Sequence, residues 1–139
     1  MRVEIKGLKD VIKTFGKVPD GVKRRALRQG LAAGGEVYRI GAIQNAMGID
    51  DPNTKAAIWK NIRNVYGVKR SRISRNVVQM VTVRNTKRGG DTFYWRFVEF
   101  GTSHSRAQPF MRPAFESLSG LAIRETAEEM ARRLLRRVV

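Results

Sequence analysis

Cysteine is absent from the 139 residues, and histidine occurs once. The first absence excludes disulfides and thiolate metal sites. The second leaves His104 without the companions a zinc site needs. His104 lies between Ser103 and Ser105 in one short stretch. A nucleophile and its base usually converge from distant positions, with a third group to orient them. Carboxylates are also scarce: 12 Asp plus Glu stand against 28 Lys plus Arg, a net charge of +16. Asp50-Asp51 runs into Pro52-Asn53, which is turn chemistry rather than a metal cluster. Glu128 and Glu129 stand at helical spacing from Arg132 and Arg133, so ion pairing accounts for them. Gly89-Gly90 lacks the Gly-Lys-Ser/Thr that would make a phosphate loop. No apolar run approaches the ~18–20 residues needed to span a bilayer. Residues 1–6 carry no secretory apolar core. The expectation is a protein with no catalytic or metal residues and no cofactor, unattached to membranes and cytoplasmic at synthesis.

What is present organises as a single domain, residues 1–139. A chain of this size buries roughly 65–70% of its unfolded surface, enough for a core without staples. Residues 2–5 alternate as a short strand would. Residues 6–16 place Leu8, Val11, Ile12 and Phe15 at helical spacing. Pro19 breaks that helix, and Asp20 is placed to N-cap a longer one reaching about Met47. Gly30, Gly34, Gly35 and Gly41 lie inside it, and each costs about 1 kcal/mol in a helix interior. Close approach of another backbone explains them better than a kink. Residues 48–53 read as a turn, 54–66 as a second helix, and 67–75 as a basic flexible connector. Residues 76–84 read as a strand apolar on both faces, and so as either an inner strand or one whose outer face a neighbour covers. Residues 85–91 read as a long hairpin tip, returning through an antiparallel strand at 93–100. Phe115, Leu118, Ala122, Thr126, Met130, Leu134 and Val138 then mark a last helix. Its closing arginines, among them Arg132, Arg133 and Arg136, suit a helix C-terminus. The fold class is α+β, a small antiparallel sheet packed by a long N-terminal helix and a C-terminal helix.

The most informative stretch is 93–117. Its aromatic, β-branched start favours a strand. Gly101 stops it, and residues 102–105 are turn formers. Pro109 and Pro113 bracket Phe110 and suit the first turn of a helix. Glu99 is the one acidic residue that stands out, beside Phe97 and Phe100. A buried carboxylate must be compensated. It therefore either faces water at an edge, or secures the junction by accepting backbone N–H bonds or pairing with Arg96 or Arg112.

The order Tyr94, Val98-Glu99-Phe100-Gly101-Thr102, then Pro109-Phe110, Arg112-Pro113-Ala114, resembles the neck or tail-completion family of long-tailed double-stranded-DNA bacteriophages. The resemblance is dense over about one sixth of the chain; elsewhere it is one of layout. Lys55 stands where the family's Pro-x-x-Thr-Gly turn has its glycine. The resemblance implies a structural protein of the virion that completes the tail or joins it to the head. It would assemble in order onto a ring-shaped neighbour, as a homo-oligomeric ring, with other neck and tail proteins as partners. It would occupy the host cytoplasm during assembly and the particle afterwards. It also implies that Tyr94, Glu99, Phe100, Gly101, Thr102, Pro109, Phe110, Arg112 and Pro113 form the assembly unit.

A second reading rests on charge. No carboxylate lies between Asp51 and Asp91, an interval holding ten lysines and arginines. Lys69, Arg70, Arg72 and Arg75, with Lys87 and Arg88 at the hairpin tip, are expected to form a polyanion-facing surface on mobile loops. Its partner would be DNA, contacted without sequence preference, or an acidic face of a protein ring. Taken alone, this describes a free basic nucleic-acid-binding protein, with Tyr66, Phe93, Tyr94 and Trp95 as stacking faces.

Overall fold

The computed structural model describes residues 9, 10, 13, 16–74 and 76–138. The strand expected at 2–5 and most of the helix expected at 6–16 lie outside those residues, as does Arg75. Helix α1 spans Asp20–Met47 and helix α5 spans Met111–Val138, each 28 residues long. Asp20 is not the cap of α1. Pro19 precedes the first turn, its carbonyl accepting the N–H groups of Val22 and Lys23 at 3.0 and 3.1 Å.

The two long helices run antiparallel and make the most extensive contact of the fold. Glycine makes the contact possible. Gly30 faces Thr126 and Met130, Gly34 faces Ala122 and Thr126, and Gly41 faces Ala114 and Leu118. A Cβ at Gly34 would stand 2.9 Å from the carbonyl oxygen of Ala122, and one at Gly30 2.7 Å from that of Thr126. Backbone thus meets backbone where a side chain would hold the helices apart. Gly35 is turned instead to the sheet, where a Cβ would stand 2.5 Å from the Asn64 amide oxygen. α1 is one unbroken helix, and the contacts facing these glycines show the close packing that accounts for them.

Between the helices in sequence lie α2 (Ile58–Asn61), β1 (Ile62–Tyr66), α3 (Val68–Ser74), β2 (Gln79–Val83) and α4 (Trp95–Phe100). The sheet is the antiparallel pair β1–β2, in register Ile62↔Val83, Asn64↔Val81 and Tyr66↔Gln79. The α+β class holds, but three local expectations do not. The helix expected over 54–66 stops after four residues. Beyond it, Ile62, Val65 and Tyr66 follow their β-branched and aromatic preference into a strand. The connector expected at 67–75 is helix α3, seated by Ser71, whose Oγ accepts the Val78 N–H at 2.9 Å. The strand expected at 93–100 is helix α4, so β2 pairs backwards with β1. β2 is accordingly no inner strand: among the described residues the sheet has two strands.

The main core gathers Ala42, Ala46, Ile58, Ile62, Val83, Phe110 and Ala114. A smaller cluster of Val18, Ala26 and Leu134 closes the other end of the helix pair. Polar side chains tie the sheet in. Asn64 donates from Nδ2 to the Ala32 carbonyl at 2.8 Å and accepts from Gln79 Nε2 at 2.7 Å. Buried Asn61 holds the turn after β2. Its Nδ2 donates to Thr92 Oγ1 at 2.7 Å and to the Gly90 carbonyl at 3.0 Å, while its Oδ1 accepts from Thr86 Oγ1 at 2.7 Å. Among the described residues no helix is long and apolar enough to cross a membrane.

Two glycines in α1 separate packing from propensity. Gly34→Ala is expected to destabilise by about 1–3 kcal/mol, because overpacking outweighs the gain in helix propensity. Gly21 has nothing within 4 Å of its virtual Cβ. Gly21→Ala should instead stabilise by about 0.5–1 kcal/mol. Denaturant melts of the two variants would give opposite shifts, and shifts of the same sign would contradict this account of the helix contact.

Candidate functional site

The residues singled out in the second half converge on one junction. α4 begins after a turn in which the Asp91 carboxylate accepts the Phe93 N–H at 3.2 Å and the Thr92 carbonyl accepts that of Trp95 at 3.0 Å. Along α4, Tyr94 and Val98 pack toward the core. Phe93, Phe97 and Phe100 point away from it, 70%, 56% and 65% exposed. That i, i+4, i+7 spacing of outward phenylalanines was a helical signal present in the sequence. The aromatic, β-branched composition masked it.

Gly101 ends α4 with φ of 74°, and its N–H donates to the Phe97 carbonyl at 2.9 Å. A side chain there would face both the left-handed backbone and the Ala107 nitrogen, 2.8 Å from a virtual Cβ. Thr102 shapes the loop that follows. Its Oγ1 accepts the N–H groups of His104 and Ser105 at 3.2 and 3.0 Å. The Gln108 N–H then donates to the Val98 carbonyl at 2.8 Å, returning the chain to α4 before Pro109.

Glu99 decides between its two readings. It is 5% exposed, and its carboxylate accepts the backbone N–H groups of Phe110 and Met111 on Oε2 at 2.8 and 3.0 Å, and that of Arg112 on Oε1 at 2.9 Å. The opening N–H groups of a helix have no intrahelical acceptors, and the helix N-terminus carries partial positive charge. One carboxylate supplies both needs, through charge-assisted bonds about twice as strong as neutral ones. Phe110 is thereby fixed with its ring fully buried in the main core, and its carbonyl accepts from Asn45 Nδ2 at 3.0 Å. Pro113 falls within the first turn of α5, where its missing N–H costs nothing, and Arg112 is exposed. Tyr94, Phe97, Val98, Thr102, Ser105, Arg106 and Gln108 line an open cleft of about 420 Å³ beside this junction. Burial and the charges of Asp50 and Asp91 push the Tyr94 phenol above its ordinary value.

The expected polyanion-facing residues fall at two places along the β1–β2 ribbon. Lys69, Arg70 and Arg72 are exposed on α3, next to the Tyr66/Gln79 end of the ribbon. Lys87 and Arg88 are exposed on the turn beyond Val83, at the opposite end. Roughly 14 Å of strand separates those ends. The expected mobile loops are a helix and a turn pinned to Asn61, with the Ala57 N–H donating to the Gly89 carbonyl at 2.9 Å. Asp50 caps α2, accepting the N–H groups of Ile58 and Trp59 at 3.1 and 3.0 Å. Asp51 accepts the Asn53 N–H in the preceding turn at 2.9 Å.

Residues 9–101, well over half of the chain, match the family described as "Bacteriophage HK97-gp10, putative tail-component". The chain belongs to this family of phage tail components. The resemblance seen in the sequence is therefore sound at family level, and the role is structural. Within the tail component, the match ends at Gly101. Tyr94, Glu99, Phe100 and Gly101 fall inside the matched residues; Thr102, Pro109, Phe110, Arg112 and Pro113 lie beyond them. No curated protein and no solved structure matches the chain.

Two substitutions in the tail component test the junction. Glu99→Ala would strand three backbone donors at the start of α5 and is expected to cost about 2–3 kcal/mol. Phe110→Ala is expected to cost about 3–5 kcal/mol, the range for truncating a buried phenylalanine. Thermal and urea unfolding would read both. A Glu99→Ala protein as stable as the parent would show that the carboxylate does not hold α5.

Proposed function

We propose that this tail component completes the tail or joins it to the head, by ordered assembly of copies into a ring seated on a ring-shaped neck or tail partner. Residues 1–139 act in this as one domain, passing from the host cytoplasm into the particle. The reading is carried by the contrast across α4. One side is locked to α5 through Glu99 and Phe110, and the other leaves Phe93, Phe97 and Phe100 exposed. Exposed aromatic clusters of this kind mark interaction surfaces, and interface cores are enriched in aromatic residues. Gly101 and Thr102 hold the loop beside this face, and Tyr94 lines its cleft. Head-to-tail contacts between identical subunits close into rings when the rotation between them allows.

DNA contact is the second reading, favoured by one observation. Lys69, Arg70, Arg72, Lys87 and Arg88 form no ion pair with a carboxylate among the described residues. A passing genome would be held weakly and without sequence preference, since phosphate contacts carry no base information. The same charges describe the alternative, a free basic nucleic-acid-binding protein acting outside the particle.

Phe97→Ala with Phe100→Ala separates assembly from folding. Both rings are mostly solvated, so the melting curve should stay within about 0.5 kcal/mol of the parent. Incorporation into tails, read by sedimentation of particles assembled with the variant, should be lost. Normal incorporation with a normal melt would remove this face from assembly.

A further inference from the structure

The first turns of α1 lie against elements remote in sequence, and there the charge is denser than any one segment suggests. Arg24, Arg25 and Arg28 fall within about 6 Å along the helix axis. On one side, the Arg28 guanidinium lies 3.8 Å from the centre of the Tyr66 ring, at the end of β1. Tyr66 leads through Gly67 into α3, placing Arg28 beside the helix that carries Lys69, Arg70 and Arg72. The Ser71 hydroxyl of α3, then Arg24 and the charge of Arg28 on α1, hold the Tyr66 phenol below its ordinary value. On the other side, Arg25 and Gln29 face Arg133 and Arg136 of α5 across an open groove of about 300 Å³, floored by Val22 and Ala26.

Two carboxylates of this end are already engaged, while Glu128, exposed on α5, does not make the ion pair expected with Arg132. Asp20 pairs with Lys23 at 3.5 Å, and Glu129 with Arg132 and Arg133 at 3.1 and 2.6 Å. Arg24, Arg25 and Arg28 form no ion pair with a carboxylate among the described residues. Arg136 lies near Glu129, whose carboxylate is held below its ordinary value first by the Arg133 hydrogen bond and then by the charges of Arg132, Arg133 and Arg136. Like charges held together from separate elements repel unless an anion lies between them.

We propose that the Arg25–Arg136 groove and the adjoining Arg24–Arg28 face of α1, continued by α3, form one phosphate-binding surface that grips the backbone of duplex DNA. This rests on the DNA-contact reading above and gives it a place: one end of the helix pair, with Lys87 and Arg88 excluded. The chemistry fits phosphate better than a protein partner. Protein interfaces deplete charge at their centre and gather aromatics there. Here the centre is arginine, and the exposed phenylalanines sit on α4. Guanidinium forks match phosphate oxygens in bidentate geometry.

The test uses the full chain and a short random-sequence duplex, with anisotropy titrations at several salt concentrations. R25Q/R136Q should weaken binding about tenfold and reduce the log–log salt slope by about 2, the signature of two lost phosphate contacts. R25K/R136K should keep the parent's salt slope but recover only part of the affinity, because the charge is kept and the bidentate fork is lost. K87Q/R88Q should leave affinity within about twofold of the parent, since these cations lie at the other end of the ribbon. Equal losses from both glutamine pairs would mean that bulk charge binds DNA, and would overturn the site while leaving DNA contact standing. Absence of duplex binding by the parent protein would overturn both. Displacement of the duplex by polyglutamate as readily as by unlabelled duplex would assign the surface to an acidic protein and overturn the DNA proposal.

Discussion

Everything in this chain is arranged around the close contact of two antiparallel helices. Gly30, Gly34 and Gly41 remove the side chains that would keep α1 and α5 apart, and the carbonyls of Ala122 and Thr126 occupy the space. Each glycine costs about 1 kcal/mol of helix propensity. Apolar burial along two long helices offsets that cost, at roughly 25 cal/mol per Å². The contact sets the other placements. With α5 this near, Gly35 is left to receive Asn64, and so the sheet. Because the pair is antiparallel, the start of α5 meets the end of α1, and the last turns of α5 meet its first.

Those two ends have different chemistry. At one, Asn45, Phe110 and Glu99 join the end of α1, the start of α5 and α4. The Glu99 carboxylate is buried, which would be costly in isolation. It is compensated by the backbone donors of a helix start rather than by a counter-ion, so it serves as a remote cap. Locking one side of α4 in this way leaves its phenylalanine face outward. At the other end the same antiparallel pairing collects arginines from both helices and joins them to the cations of α3 through Tyr66. An aromatic face and a cationic face at separate places suit a structural component that contacts more than one thing.

Much was legible from residues alone. The long helices, the α+β class and the need for close packing at the α1 glycines followed from periodicity and from what glycine costs. The family was legible in Tyr94 and the run from Val98 to Thr102, part of which lies inside the matched region. Glu99 was identifiable as a residue requiring compensation, because a carboxylate among phenylalanines has few stable options. Local preference failed where two periodicities overlapped. Residues 93–100 are aromatic and β-branched enough for a strand, yet the outward spacing of Phe93, Phe97 and Phe100 is helical. Residues 58–66 switch from helix to strand in mid-pattern, which no single window of hydrophobicity resolves.

What the sequence determined by itself was the charge, the lack of cysteine, the two long helices and the kinship. These depend on composition and on near neighbours, which a linear string records. Strand pairing, the donors that compensate Glu99, and the grouping of the cations were decided only by tertiary structure. The reason is sequence distance. Asn61 reaches Thr92, Glu99 reaches Arg112, and Arg25 faces Arg136 only after the chain has folded back on itself. Lys87 and Arg88 seemed neighbours of Arg72 along an acid-free stretch. An antiparallel ribbon set them at its far end, because a hairpin places residues by register and not by their order in the chain.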